Sequence, residues 1–472
     1  MQDCRKFYIN GKWINPTEFN DFPVENPATE QPVAVISQGS ATDVDNAVTA
    51  ARQAFTCFSQ STRETRLALL ENLLKIYMHR YDEMAQAIHL EMGAPIDFSH
   101  TEQADCGRGH LQSTIDALQH YTFEQTIENT LIVKEAIGIC GLITPWNWPI
   151  NQIVCKVAPA LATGCTIILK PSEIAPLSAY LFTEMIDEAG FPPGVFNLIN
   201  GCGATVGSAM AEHPDIDMIS FTGSTKAGIS VAKAAANTVK RVTQELGGKS
   251  PNILLDDTNF EHSIKKGIFM CMENTGQSCN APTRMLIPQS HYIEAIKFAR
   301  ESVKKVKVDH SNKEGRHLGP LANQEQYDKV QQFIQLALNE GATLIAGGPG
   351  KPEGLETGYY VKPTIFADVH NEMAIAREEV FGPVLVMIPY QDEDDAIRIA
   401  NDTPYGLSAY IQTGDVVRGK RIARRLHAGM VRINHAPHSY NVPFGGYKQS
   451  GNGREWGEYG FEDYLEIKAI SI

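Results

Sequence analysis

From residue 137 the chain alternates short apolar runs with helical stretches, and that alternation limits the folds open to it. The runs IGICGLITPWNWP, CTIILKPSE, FNLING and IDMISFTGST each end in Gly, Pro, Ser or Thr, as strands do where they enter loops. Stretches such as SAYLFTEMIDEAG separate them, and strands alternating with helices at this spacing predict a mostly parallel, doubly wound α/β sheet. Ligands of such sheets bind beyond the carboxyl ends of the strands, where Asn147, Lys170 and Ser224 fall. A second alternation starts at PNILLDD and runs through RMLIP, TLIAGG, PTIFADV, PVLVMIPY and GMVRIN, so a second α/β domain is expected. A chain of 472 residues is long enough to bury both cores.

Before residue 137 the pattern is helical. SATDVDNAVTAARQAF has a Thr42 to Asp45 spacing that suits a capping box, followed by Val48, Ala51 and Phe55 on one face. In TRLALLENLLKIYMHRYDEMAQAIHLEMG, Leu67, Leu70, Leu74 and Met78 predict one long helix that stops at Gly93 and Pro95. Residues 121–136, YTFEQTIENTLIVKEA, read as an extended arm or hairpin, and the C-terminal GFEDYLEIKAISI reads as a strand. These two pieces are candidates for a subunit interface.

Several classes of function lose ground on composition and motif. The opening MQDCRKFYINGKW lacks the apolar run of a signal peptide, and the longest apolar region is interrupted by Lys156, Pro159, Thr163 and Gly164. The expectation is a cytoplasmic protein with no membrane partner. Nine cysteines, an odd number without CxxC spacing, predict reduced thiols rather than disulfides or a zinc ribbon. A net charge of −14 without an evident basic patch argues against nucleic acid. HExxH, GxSxG and metal-ligand clusters are missing, so no metal is expected. GCGATVG (201–207) misplaces the third glycine of GxGxxG, and GGKS (247–250) has Thr243 where a Walker motif needs its first glycine. FTGSTKAG (221–228) offers backbone N–H groups to a phosphate, but alone it reads equally as an ordinary helix start.

Taken together, TPWNWP, LKPSE, FTGST, QELGGKSP, GQSC, EEVFGPV and PFGGYKQSG, in that order, resemble the motif series of the NAD(P)-dependent aldehyde dehydrogenase superfamily over nearly the whole chain. The resemblance implies two doubly wound parallel-sheet domains. A Rossmann-like NAD-binding domain would span 1–120 and 137–247, a catalytic domain 248–447, and a small β oligomerisation arm 121–136 with 456–472. It also implies a homodimer or homotetramer.

Oxidising an aldehyde to an acid needs a soft nucleophile, a hydride acceptor and a base that activates water. By resemblance Cys279 in GQSC is the nucleophile, Glu245 in QELGGKSP the base, and Asn147 in TPWNWP the oxyanion donor together with the Cys279 N–H. Read alone, Glu245 is a solvated carboxylate and Asn147 a turn residue. For the cofactor, the resemblance places Lys170 and Glu173 at the adenosine ribose, Gly203 and Gly207 at the adenine, and Gly223 and Ser224 at the pyrophosphate. Glu379 and Phe381 would grip the nicotinamide ribose, with Trp146 and Leu246 beside the nicotinamide. A carboxylate at Glu173 accepts from a ribose 2′-OH and repels a 2′-phosphate, which favours NAD over NADP.

Of the remaining cysteines, Cys140, Cys155, Cys165 and Cys271 sit in apolar patterns and read as inert, while Cys4, Cys57 and Cys106 match no motif. The substrate tunnel implied by the resemblance is lined by Trp148, Gln152, Cys155, Ser278 and Asn280, with the loop HAPHSYNV at 435–442. None of these tunnel residues is a base that would pair with a substrate carboxylate, so a neutral aliphatic or aromatic aldehyde is the default. Alternatives in the same superfamily are a CoA-acylating or a semialdehyde-specific dehydrogenase. A non-catalytic cofactor-binding relative is a third.

Overall fold

The computed structural model of the protein describes residues 1–471. The apolar runs at Ile139–Ile143 and Thr166–Lys170 lie side by side as parallel strands, buried at every position. Strands covered on both faces need such continuous apolar runs. They centre an eight-stranded sheet ordered Gly451–Asn452, Arg241–Glu245, Met218–Thr222, Ile139–Ile143, Thr166–Lys170, Phe196–Leu198, Phe7–Ile9, Lys12–Ile14. The five inner strands are parallel, and the edges are antiparallel.

A second sheet of seven strands runs Thr343–Ala346, Thr364–Ala367, Val384–Tyr390, Arg284–Pro288, Pro251–Leu254, Ser408–Gln412, Met430–Ile433. All its neighbours are parallel except Thr343–Ala346, an antiparallel edge. The chain passes from one sheet to the other directly, from the strand ending at Glu245 to the strand starting at Pro251. Near its end it returns, and Gly451 and Asn452 pair with Glu245 and Gln244. Glu245 therefore stands where the two sheets meet and is clamped from both sides.

Residues Glu124–Ile127 and Thr130–Ala136 form a hairpin, and Leu465–Ser471 adds to it antiparallel as a third strand. The segment before that last strand differs from the expected arm. Gly457–Tyr464 is a 3-10 turn whose Phe461 and Tyr464 are buried in the first core. A further small sheet, Gln2–Cys4, Gln31–Ser37 and Asp21–Asn26, lies at the N-terminal edge.

Other expectations need correction. The capping box is Ser40 with Asp43, not Thr42 with Asp45. The Ser40 N–H and hydroxyl donate to Asp43 Oδ2 at 2.9 and 2.7 Å, and the helix Ala41–Phe58 follows. The long helix is two, Arg63–His79 and Tyr81–Met92, broken at Arg80. Arg80 contacts Glu83, Glu184 and Glu188 at 2.7–2.8 Å, an ion cluster that a helix-interior position facing the core would forbid. The buried face of the first helix carries Leu70, Leu73 and Tyr77, whereas Met78 is exposed. Sequence patterning also missed the strands Arg241–Glu245 and Ser408–Gln412, because RVTQE is mostly polar and SAYIQ is short. No described helix is long and apolar enough to cross a membrane.

Glu91 ties two of these helices together. It is fully buried on Tyr81–Met92, and its carboxylate accepts the backbone N–H groups of Leu177 and Ser178 in the first turn of Leu177–Glu188. Burial pushes this carboxyl up to about 7 from its ordinary 4.5. The folded state thus holds the proton more tightly than the unfolded chain, so this contribution to stability falls as pH rises between those values. Glu91→Ala, which leaves two buried N–H donors without an acceptor, is expected to lower the unfolding free energy by about 2–4 kcal/mol. Chemical denaturation reads the loss, and Glu91→Gln is expected to flatten the pH dependence in the same experiment.

Candidate active site

Cys279 follows a turn that the chain adopts only under constraint. Asn274 and Thr275 both have left-handed backbones, φ 53° and 56°. For a β-branched residue such as Thr275 that conformation is strained, and it persists only where surrounding contacts fix it. Here they do. The Thr275 hydroxyl donates to Gly319 O at 3.1 Å, and the Gln277 side chain accepts from Ala322 N–H at 2.9 Å and donates to Asn274 O at 3.1 Å. The loop is therefore rigid before any ligand arrives.

The loop is also anchored to the motif TPWNWP. The Asn147 amide donates to Gln277 O at 3.0 Å, and Asn147 O accepts from the side chains of Asn274 at 2.8 Å and Gln103 at 3.3 Å. An Asn amide has two N–H donors, so one remains for another acceptor. The Trp148 indole N–H donates to Ser278 Oγ at 2.8 Å, and the Tyr410 hydroxyl donates to Asn280 O at 2.9 Å. On the opposite side, a Cβ built at Gly248 would stand 2.3 Å from Cys279 O. Only glycine lets the QELGGKSP segment approach the thiol loop so closely.

Glu245 lies at the end of its strand, 4% exposed, and neither carboxylate oxygen has a hydrogen-bond partner among the described residues. Burial, then Glu455, pushes this carboxyl well above the ordinary range. Loss of hydration around the Cys279 sulfur, then Glu379 and Glu245, pushes the thiol up as well. In the unliganded protein both groups favour the protonated form, and the thiol feels the Glu245 carboxylate.

Two residues of this centre escaped the sequence reading. Lys156 is fully buried in the helix Pro149–Thr163, ion-paired with Glu455 and donating to the Thr222 hydroxyl at 2.6 Å. Burial opposes its charge most strongly, but Glu455, with Cys155 and Glu245, outweighs burial and favours the charged ammonium. A lysine in an apolar helix required a carboxylate partner. That was the signal, although nothing in the sequence pointed to Glu455 as the partner.

The remaining predicted residues fall into two groups. Lys170 donates to Pro171 O at 2.6 Å and Gly201 O at 2.7 Å, with Glu173 3.5 Å away and Gly207 beside its stem. Gly203 opens the turn Gly203–Gly207, and a side chain there would meet nothing within 4 Å. Ser224 caps the helix Thr225–Ala235, directly after Gly223. Glu379 accepts from Gly248 N–H at 2.8 Å, Leu246 packs against Gly228, and the Trp146 and Phe381 rings meet edge to face at 5.5 Å. In the second group, Cys155 and Gln152 are buried on the same helix as Lys156. The Cys155 thiol points to Glu455 at 3.4 Å, burial pushes it well up, and Gln152 Oε1 has no partner. Among the described residues no group of His, Cys, Asp and Glu could hold a metal ion.

Comparison with known proteins gives a consistent result. The profile of the Aldehyde dehydrogenase family matches residues 13–470. A 3-succinoylsemialdehyde-pyridine dehydrogenase of Pseudomonas sp is 53% identical over 471 residues, 100% of this chain and 99% of the relative. The fold superposes with TM-score 0.98 on a cysteine-to-alanine variant of aldehyde dehydrogenase C from Pseudomonas syringae, complexed with NAD+ and octanal. That protein is 50% identical, with 99% of this chain and 96% of the other covered. A betaine aldehyde dehydrogenase from Staphylococcus aureus in complex with NAD+ matches at TM-score 0.95 and 35% identity, covering 99% and 94%.

The upward push on the thiol has a direct test. Alkylation of Cys279 by iodoacetamide in the unliganded protein is expected to keep rising from about pH 7 to about pH 9.5, as a thiolate-limited reaction with a raised pKa does. Mass spectrometry of the Cys279 peptide checks it, and a plateau below about pH 8 would contradict the reading.

Proposed function

The chain belongs to the aldehyde dehydrogenase family, and from that premise we propose that Cys279, Glu245 and Asn147 carry out its reaction, the NAD-dependent oxidation of an aldehyde to the carboxylic acid. The observation that carries this reading is the unpartnered, buried Glu245 carboxylate held beside a thiol whose loop is fixed in a strained conformation.

The chain's residues suit a dinucleotide. The space beside Gly203 is open, Ser224 heads a helix whose free N–H groups favour a pyrophosphate, and the partly exposed Glu173 carboxylate beside Lys170 favours a ribose diol over a 2′-phosphate. NAD is therefore preferred to NADP. Bound NAD supplies the acceptor for the hydride that leaves the substrate carbon.

In the first half of the reaction the Cys279 thiol gives up its proton to solvent, and Sγ bonds to the carbonyl carbon. The oxygen becomes an anion, received by the second Asn147 amide N–H and the Cys279 backbone N–H. Once hydride has left, the oxygen reforms a carbonyl and the acyl group is held as a thioester. In the second half the ionised Glu245 takes a proton from water, the hydroxyl adds to the acyl carbon, and the C–S bond breaks to release the acid, the Glu245 proton returning to the Cys279 sulfur. A base with free lone pairs and a raised pKa suits this task. Lys156 and Glu455 act as positioning residues: their ion pair sets the charge that Glu245 feels.

Trp148, Gln152, Cys155, Ser278 and Asn280 are assigned to the walls of the aldehyde site, since each lies on the helix after Asn147 or beside Cys279. The three-stranded arm leaves Ile127 and Ile467 more than half exposed, which supports a homo-oligomer built through it. Nine free thiols suit a reducing compartment such as the cytoplasm.

Cys279→Ser is expected to lower acid formation by about 10³-fold or more while NAD affinity stays within about threefold. Steady-state NADH formation and isothermal titration with NAD check the two parts. Omitting coenzyme A is expected to leave the wild-type rate unchanged, and strict dependence on it would replace the hydrolytic step with acyl transfer to a thiol.

A further inference from the structure

A groove of about 970 Å³ opens beside the thiol loop, and its charge is opposite to that of the rest of the chain. Three of its wall residues are one side chain away from residues 277–280. Phe98 packs on Trp148 at 5.6 Å, and Trp148 holds Ser278. Asn274 donates to Gln277 O at 3.2 Å. Arg432 lies 5.8 Å over the ring of Tyr410, whose hydroxyl holds Asn280.

The cations of the groove are Lys265, Lys266, Lys305, Lys307, Arg316 and Arg432, against three carboxylates. Of those cations only Arg316 has a carboxylate within 4.0 Å among the described residues, and that is Glu273. Asp97 is committed to Gly315 N–H at 2.6 Å. Burial and Asp105 raise Glu102, and burial and Glu102 raise Glu273. Phe269 and Met270 supply apolar surface between the basic residues.

Arg432 is linked to the thiol loop through Tyr410. Its Nε and one terminal nitrogen donate to Ala436 O, and the other terminal nitrogen donates to His438 Nε2 at 2.8 Å. Burial and Arg432 hold His438 at about 4, so the imidazole is a neutral acceptor. A guanidinium has five N–H groups, and one on each terminal nitrogen is left over. Such a fork suits a carboxylate.

We infer that the preferred substrate is an aldehyde that bears a carboxylate at its far end, with an apolar chain or ring lying in the groove and the carboxylate received by Arg432 and the lysine rim. This rests on the reading that Cys279 is the nucleophile. It departs from the expectation of a neutral aldehyde, which weighed only the residues flanking Asn147 and Cys279 and the 435–442 loop. Arg432 precedes that loop, and the lysines lie on elements far from it in sequence.

The test pairs an ω-carboxy aldehyde with the n-alkyl aldehyde of equal carbon number and compares kcat/KM with NAD at low salt. The acid-bearing aldehyde is expected to be favoured by about 10-fold or more, and the ratio is expected to fall severalfold at about 0.5 M NaCl as charges are screened. Arg432→Met is expected to cut the ratio about 10-fold, with Arg432→Lys retaining part of it. Because Arg432 also supports the 435–442 loop, a charge-reversed rim, Lys265→Glu with Lys266→Glu and Lys307→Glu, provides a second variant that leaves that loop untouched and is expected to lower the ratio too. Turnover of the n-alkyl aldehyde with a wild-type ratio near or below one would overturn the inference alone. A ratio unchanged in both variants would also overturn it alone. Failure of the wild type to oxidise either aldehyde would overturn the reading on which it rests.

Discussion

A buried carboxylate without a hydrogen-bond donor is costly, by roughly several kcal/mol when ionised, and the Glu245 side chain is held in that state by elements from three parts of the chain. Its own strand belongs to the first sheet, and the next strand opens the second. The returning segment at Gly451 pairs with its backbone, and Gly445 stands so close that an added Cβ would lie 2.7 Å from Glu245 Oε1. Without a donor among the described residues, burial favours the protonated form against the opposing pull of Lys156 and Arg454. Glu455, itself tied to buried Lys156, makes proton uptake more favourable still. The packing of two domains thus sets the basicity of one group.

The same junction fixes the thiol. The Glu273–Gly276 turn is strained on its own, and its shape is dictated from one side by Asn147 and Gln103 of the first domain and from the other by Gly248. Neither sheet alone holds Cys279. The cysteine and the amide come from loops and the base from a strand end, and they meet only where both sheets are assembled, so the site is not a local motif. Such preorganised donors and bases cost little reorganisation when charge develops at the carbonyl oxygen.

Much of this was legible in the sequence because parallel strands buried on both faces leave continuous apolar runs, such as TIILK and VLVMIPY, with their loop residues directly after them. The positions of Asn147, Lys170 and Ser224 at the carboxyl ends of strands followed from that pattern alone. Polar strands such as Arg241–Glu245 escaped because their pairing is decided by neighbours rather than by their own residues. The break at Arg80 escaped for a similar reason: three glutamates, two of them over a hundred residues away, hold its guanidinium outside the helical face. Lys156 and Glu455 are 299 residues apart, and the Arg432 groove gathers residues from five separate stretches. No local pattern carries pairings of that range.

The central claim is that the acyl group passes through Cys279 and is released by water that Glu245 activates. Glu245→Gln mixed with NAD and excess aldehyde, then analysed by intact mass and peptide mapping, tests it most directly. The account predicts about one NADH per subunit formed in a burst, with the acyl mass retained on the Cys279 peptide. A burst without an adduct, or an adduct on another of the nine cysteines, would contradict it.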